Sequence, residues 1–214
     1  MKILSFAMVF SLALVLFSCG EKVDDLKQAA EVIQRAPEIA NNIEKSQKES
    51  ELVKAERKKR GDTTAMPYEK LQGFLPASIN GYKAEEPSGE TIDMQGMSYS
   101  NVSRRYVKTN ADGTEDRIEI DILDFNAVET MFSAQAFWVV GIRKEDQNSK
   151  EMTFDPGLKN SYAYEKFMKQ SKDVELSYAV AFRFIVNMKA NNQTSTDNLK
   201  AIAKTMKLDE LAKY

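Results

Sequence analysis

The 214 residues set 30 Lys and Arg against 32 Asp and Glu, a formal net charge of −2, with 43% hydrophobic and 29% charged side chains. That is the balance of a soluble globular protein, and its cations are scattered apart from one short cluster, whereas nucleic-acid binders gather a basic surplus on one face. Histidine is absent and Cys19 is the only cysteine, which closes off a His-based triad, an imidazole or thiolate metal site and an intrachain disulfide. A catalyst built here would rely on carboxylates, Lys, Tyr, Ser or Thr. No cofactor signature stands out.

Met1-Lys2 opens the chain with a positive charge, and Ile3 to Phe17 is an uncharged apolar run ending at Ser18-Cys19-Gly20. The run is shorter than the ~20 residues a transmembrane helix needs and has the charge order of a secretory signal peptide. Leu16-Phe17-Ser18-Cys19 resembles the bacterial lipobox, with Leu three positions before the cysteine and a small residue directly before it; Phe17 departs from the small or β-branched residue usual in between. The resemblance implies a lipoprotein with signal peptide 1–18, a diacylglycerol on the Cys19 thiol and cleavage before Cys19. Two or more acyl chains hold stably, at about 0.8 kcal/mol per buried CH₂. Gly20, rather than Asp, implies the outer membrane more than the inner under the enterobacterial sorting rule.

From Val23 to Arg60 there is one proline, Pro37, no glycine, and a high density of Glu, Lys, Gln and Ala, all strong helix formers. Leu26, Ala29 or Ala30, Ile33, Ala36, Ala40 and Ile43 follow three-four spacing. Pro37 implies two helices or one kinked there. After Ile43 only Leu52 and Val53 continue the stripe, so residues 19–64 read as a lipidated cysteine followed by a helical stalk that does not dock firmly. Arg57-Lys58-Lys59-Arg60 reads as a solvated basic helix end, and Asp62-Thr63-Thr64 as exposed linker.

Residues 65–214 change period. Gly81 to Ala84 opens a strand, and Met97, Tyr99 and Asn101 alternate into a second that runs toward Val107. Asn110-Ala111-Asp112-Gly113 is hairpin-turn chemistry. Ile118, Ile120 and Ile122 then alternate with Arg117, Glu119 and Asp121. Asn126, with Glu129 in capping-box position, starts a helix whose stripe of Val128, Phe132, Gln135, Trp138, Val139 and Ile142 is expected to fold back over the isoleucine face. Met152 to Phe154 and Tyr162 to Tyr164 are short strands around a turn at Asp155-Pro156-Gly157. Glu175 to Val180 and Arg183 to Lys189 complete the sheet, with Phe182, Phe184, Val186 and Met188 on one face. Ser195 or Thr196 caps a last helix carrying Leu199, Ile202, Ala203 and Met206. This order gives an α+β domain with a mainly antiparallel sheet and helices packed on it.

Leu75-Pro76 followed by Gly81-Tyr82, Ser98 to Tyr106, the Ile-rich strand ending in Asp124, and Arg183-Phe184-Ile185-Val186 before a helix ending Met206-Lys207-Leu208 resemble uncharacterised secreted bacterial proteins of PsbP-like fold. The similarity spans residues 70–212. It implies an α/β/α sandwich used for binding and assembly more than for catalysis. Among the residues themselves, Glu119, Asp121 and Asp124 form the best surface carboxylate cluster, since a glycosidase needs two carboxyls ~5–9.5 Å apart; alternation alone makes them a solvated strand face. Tyr162, Tyr164, Phe167 and Tyr178 are candidates for an aromatic sugar platform, and Trp138, with Phe132 and Phe137, lines a pocket or anchors the core. The expectation is a lipid-anchored cell-envelope protein, its domain in the periplasm or at the cell surface. That domain would be a non-catalytic module for a protein or glycan partner. The alternative is a carboxylate-dependent hydrolase of envelope glycans.

Overall fold

The computed structural model describes residues 24–94, 97–126 and 136–214, with backbone alone for 24–33 and 136–137. The leader, Cys19 and the expected positions Val128, Glu129, Phe132 and Gln135 lie outside the described residues, as do the side chains of Leu26 to Ile33 and of Phe137. The chain divides into two compact units, Met1–Ala40 and Asn41–Tyr214. Among the described residues no helix is long and apolar enough to cross a membrane.

Helix α1 (Asp24–Lys59) is one helix that includes Pro37, so the single-helix alternative holds. Its residues from Asn41 onward belong to the larger unit, which therefore begins well before the expected boundary at residue 65. The reason is visible in the burial pattern. Asn42, Ile43, Ser46, Glu49, Ser50, Val53 and Arg57 are half-buried or buried at three-four spacing, a helical stripe made mostly of polar side chains that a search for apolar periodicity passes over. Leu52, which the apolar pattern favoured, is 67% exposed.

A one-turn helix α2 (Tyr68–Leu71) and a 3₁₀ turn (Gln72–Phe74) lead into nine strands. They are β1 (Lys83–Ala84), β2 (Ser88–Met94), β3 (Met97–Thr109), β4 (Glu115–Asp124), β5 (Arg143–Glu145), β6 (Ser149–Phe154), β7 (Tyr162–Met168), β8 (Asp173–Val180) and β9 (Phe184–Ala190). Helix α3 (Ala136–Val139) lies between β4 and β5, and α4 (Asp197–Ala203) and α5 (Leu208–Leu211) follow β9. All strands join one sheet in the order β1-β3-β4-β9-β8-β7-β6-β5, with β2 also on β3, and every pairing is antiparallel. The α+β class with a mainly antiparallel sheet is what the structure has.

Strand alternation sorts the sheet into two faces. On the inner face Val102, Tyr106, Ile118, Ile120, Ile122, Leu176, Val186 and Met188 pack under Leu71 and Phe74 from the amino-terminal side and under Leu199, Ile202, Met206 and Leu211 from the carboxy-terminal helices. Ile118, Ile120 and Ile122 are fully buried. Trp138 is not above them. It sits on the outer face with Tyr99, Leu123, Phe125, Tyr162, Ala179 and Ile185. At the end of β4 the odd positions turn apolar, at Leu123 and Phe125, which leaves an apolar patch for Trp138 on that side, while the isoleucine side is already covered. Phe182 also departs from expectation: it sits in the β8–β9 turn with φ 51°, after Ala181 at φ 56°, and its ring tilts against Tyr162.

Ile120→Ala should cost about 2–5 kcal/mol through cavity formation, whereas Glu119→Ala on the outer face should stay within about 0.5 kcal/mol; denaturant melts check both. A chain starting at Asn41 should keep its cooperative transition. One starting at Ala65 should lose at least ~2 kcal/mol, because hydrogen bonds to charged groups contribute ~1.5–3 each and Arg57 and Asp62 are removed. An equal melt for the two would show that α1 adds nothing to the core. Burial also pushes Tyr106 and Tyr178 up to about 12 from an ordinary value of 10.0. Both favour the neutral phenol in the folded state, so their contribution is complete below pH 10 and lost between there and about pH 12. Alkaline melts should fall in that window, less steeply for Tyr106→Phe.

Candidate functional site

The three carboxylates singled out by sequence do not form a cluster. Glu119 and Asp121 lie half-buried on the outer face, and Asp124 is fully buried on the inner side, in phase with Ile118, Ile120 and Ile122. Asp124 is therefore no surface group. Its Oδ1 and Oδ2 accept from Arg183 Nε and Nη2 at 2.8 and 2.7 Å, a two-pronged pair, and also from the Asn126 and Met66 backbone N–H at 3.0 and 2.7 Å. Arg183 is 1% exposed. Its Nη1 donates to Asp62 Oδ2 at 2.7 Å, and its guanidinium lies 4.7 Å from the Phe184 ring centroid. Asn126 donates its amide to the Asp62 and Thr64 carbonyls at 3.2 and 2.8 Å; the helix start it is expected to cap lies outside the described residues. The 62–64 segment, with Thr63 and Thr64 exposed as expected, is thus a pinned strap.

Arg57, expected on a solvated helix end, is 4% exposed. It donates to the Ala181 carbonyl at 3.1 Å, in the turn whose left-handed residues carry side chains. Its Nε is buried without a hydrogen-bond partner. Burial, then the nearby Arg183 cation, holds its guanidinium below the usual value. A four-group charge cluster therefore joins α1, the strap, β4 and β9. Arg57, Asp124 and Arg183 hold backbone groups, and Asp62 holds the Arg183 and Asn126 side chains, which together is the work of a structural clamp.

On the outer face the registers line up Arg105, Glu119, Lys189, Glu175, Lys166, Glu151 and Lys144, one from each of seven adjacent strands. Signs alternate throughout. Opposite charges on facing positions support a sheet, and Lys166–Glu151 closes to 3.2 Å. Glu119 belongs to this ladder, between two cations. The next row toward the apolar patch is polar: Ser103, Asp121, Asn187, Ser177, Tyr164 and Thr153. A shallow depression of about 410 Å³ opens along the charged end, between Arg105, Arg117, Glu119, Glu175 and Lys189. Its charges already neutralise one another.

The other cavity has different chemistry. An open depression of about 480 Å³ is lined by Glu49 of α1, Trp138 of α3, Thr153 of β6, Asp155 and Asn160 of the β6–β7 loop, and Tyr162 of β7. Asp155 Oδ1 accepts the Gly157 N–H at 2.8 Å, and Asn160 turns the loop at φ 54°, which shapes the rim. Trp138 stacks parallel on Tyr164, centroids 5.9 Å apart and planes 5° from coplanar. Tyr164 donates to Glu151 at 2.8 Å; burial and then that carboxylate push its hydroxyl well above the ordinary value. Burial pushes the Glu151 carboxyl up, yet Tyr164, Lys166 and Ser149 outweigh it and leave it below the usual range. Trp138 is thus backed by a fixed ring. Of the expected tyrosine platform, Tyr162 and Tyr164 lie on this side, while Phe167 and Tyr178 face the inner core. Glu49 and Asn160 escaped the sequence reading, since neither stands in a motif.

No family model, characterised protein or solved structure matches the chain. Two outcomes test the assignment of roles. Asp124→Ala should cost about 3–5 kcal/mol by leaving Arg183 buried and unpaired, while Asp124→Leu with Arg183→Met should cost clearly less than that single change; additive losses in chemical melts would rule out a clamp. Trp138→Ala, half-exposed, should cost less than Ile120→Ala, mainly the ~0.5–1.5 kcal/mol of ring stacking plus its buried part.

Proposed function

We propose that this chain is a lipid-anchored cell-envelope protein whose α+β domain is a non-catalytic module that binds a glycan in the Trp138–Tyr162 cavity. The observation that carries the reading is the make-up of that cavity. It combines an indole backed by a stacked tyrosine and a second, half-buried ring, Tyr162, with Glu49, Asp155, Asn160 and Thr153 around the rim. Sugars offer apolar C–H faces to rings and hydroxyls to carboxylates and amides, and such sites are largely preformed. Of the three carboxylates named for the hydrolase alternative, Asp124 is locked to Arg183, Glu119 sits in the charge ladder, and Asp121 stands alone among the polar row, which favours the binding reading. The PsbP-like resemblance of residues 70–212 belongs to a fold used by proteins of several roles, so the function rests on the site rather than on the fold. The lipobox-like Leu16-Phe17-Ser18-Cys19 supports export and a lipid on Cys19. A helical spacer follows it, the outer membrane is favoured over the inner, and the domain stands in the periplasm or at the cell surface.

Trp138 is the only tryptophan in the chain, so its emission reports on the cavity directly. Titration with peptidoglycan fragments and envelope polysaccharide should shift that emission saturably, and Tyr162→Ala should weaken binding at least ten-fold. If no glycan moves the emission or protects the cavity, the reading fails. For the anchor, Cys19→Ala should block lipid labelling and leave an unprocessed precursor; a mature amino terminus at any other residue would refute it.

A further inference from the structure

An open sheet has two edges, each a row of unpaired backbone donors and acceptors, and natural proteins blunt them with short strands, lysines, prolines or bulges. One edge here is treated that way. Strand β5 is three residues long, and Arg143, Lys144 and Glu145 are all charged and exposed. The other edge is not. Strand β2 pairs with β3 over its whole length, from Ser88 opposite Ser103 to Met94 opposite Met97, without a bulge. On its far side it meets no other strand among the described residues. It contains no lysine and no proline. Instead Ile92 is 37% exposed, Met94 57% and its neighbour Met97 52%, which makes this corner home to three of the five exposed large apolar side chains of the described chain.

The edge is also held ready. Thr91 Oγ1 accepts the Tyr68 N–H at 2.8 Å and lies 2.9 Å from Ser100 Oγ. Gly89 packs so closely on β3 that a Cβ there would fall 2.7 Å from the Asn101 carbonyl oxygen and 3.1 Å from the Tyr68 ring. A strand already fixed in extended form loses little entropy when another is added to it. Its own charges, Glu90 and Asp93, are acidic, and no cation sits on the strand. Arg104 and Arg105 of β3 are taken up elsewhere, by the carbonyls of Glu85 and Pro76 and by the Glu85 carboxylate. Pairing two copies through this edge would bring four carboxylates together without a counter-charge. The edge suits a strand of opposite sign.

We infer that β2 is a docking edge for an extended segment of a partner protein, which adds to the sheet as a further strand. Its apolar side chains share the outer face with Ile92, Met94 and Met97, and its Lys or Arg side chains fall on the other face beside Asp93, while Glu90 adds negative charge on the apolar side. Main-chain pairing supplies the affinity, and side-chain alternation the selectivity. Methionine suits such a surface because its flexible side chain adapts to different apolar partners. The edge is separate from the Trp138 cavity, so the two readings stand or fall independently.

The full chain would be titrated with a short fluorescent peptide of alternating Lys and Val and read by anisotropy. Saturable binding is expected, weakened at least ten-fold for a Glu–Val peptide, for the Lys–Val peptide with alternate backbone nitrogens methylated, and for the Asp93→Lys and Ile92→Lys variants. Hydrogen exchange of the 88–94 amides should slow in the complex, and Trp138→Ala should leave binding unchanged. These variants change exposed side chains and a melt confirms that they fold. Absence of binding to the Lys–Val peptide overturns the proposal. So does binding that survives backbone methylation, which would mean charge attraction alone, or a dimer in sedimentation that Ile92→Lys dissolves, which would make a second copy the occupant.

Discussion

A cation with no access to water must be surrounded by acceptors or the fold around it fails, and Arg183 imposes that condition on four separate stretches of chain. Its guanidinium needs Asp124 at the end of β4 and Asp62 in the strap, and it stands directly after a turn that Arg57 of α1 holds by its carbonyl. A buried pair of this kind contributes little net stability against an apolar substitute of equal volume, while loss of one partner is costly. What it does supply here is geometry. The planar fork fits one carboxylate in one orientation, which sets where β4 ends and where the strap crosses. The same cluster fixes the face on which the second half of α1 lies, and so places Glu49 at the cavity rim.

The sheet divides its labour between faces. The inner face is a continuous apolar layer roofed by small helices from both ends of the unit. The outer face is graded: an apolar patch at the Phe125 and Ile185 end, a polar row, then the ladder of alternating charges. Because facing charges neutralise one another across the strands, this face is solvated without casting a strong field. Chemistry suited to a ligand is left to the periphery. The aromatic cavity sits at the β6–β7 end, and the acidic edge lies on the opposite side of the sheet.

Legibility in the sequence tracked burial contrast. Strands β3, β4, β8 and β9 were readable because one face of each is apolar, and the Asn110–Gly113 turn because its chemistry is specific. Strand β2 was missed. Its half-buried positions are Gly89 and Thr91, neither of them a large apolar residue, so Ser-Gly-Glu-Thr-Ile-Asp-Met has no apolar alternation to detect. The docked half of α1 was missed for a similar reason, since its buried stripe is mostly Asn, Ser, Glu and Arg, with only Ile43 and Val53 apolar. Signals for the clamp did exist. Asp124 falls in phase with three isoleucines, and Arg183 interrupts the apolar run from Tyr178 to Met188; each is a charge where the pattern demands an apolar residue, and such a charge needs a partner. Which charge it meets, and which side of the sheet Trp138 lands on, depend on contacts far apart in sequence that periodicity does not encode.

The pairing of β4 with β9 also governs how the chain comes together in time. Polypeptide is delivered amino terminus first, from the ribosome or across a membrane, so the isoleucine strand emerges with β3 on one side and an open flank on the other. The segment that closes that flank, Phe184 to Ala190, arrives only after β5 to β8 have been made. Contacts so distant in sequence form slowly. Until they do, the three isoleucines and a bare row of backbone groups are together in one exposed strand, the combination most prone to stick to its neighbours. The Ile118–Ile122 strand is the stretch on which a holding chaperone would act, and its need for one ends when the last strand arrives.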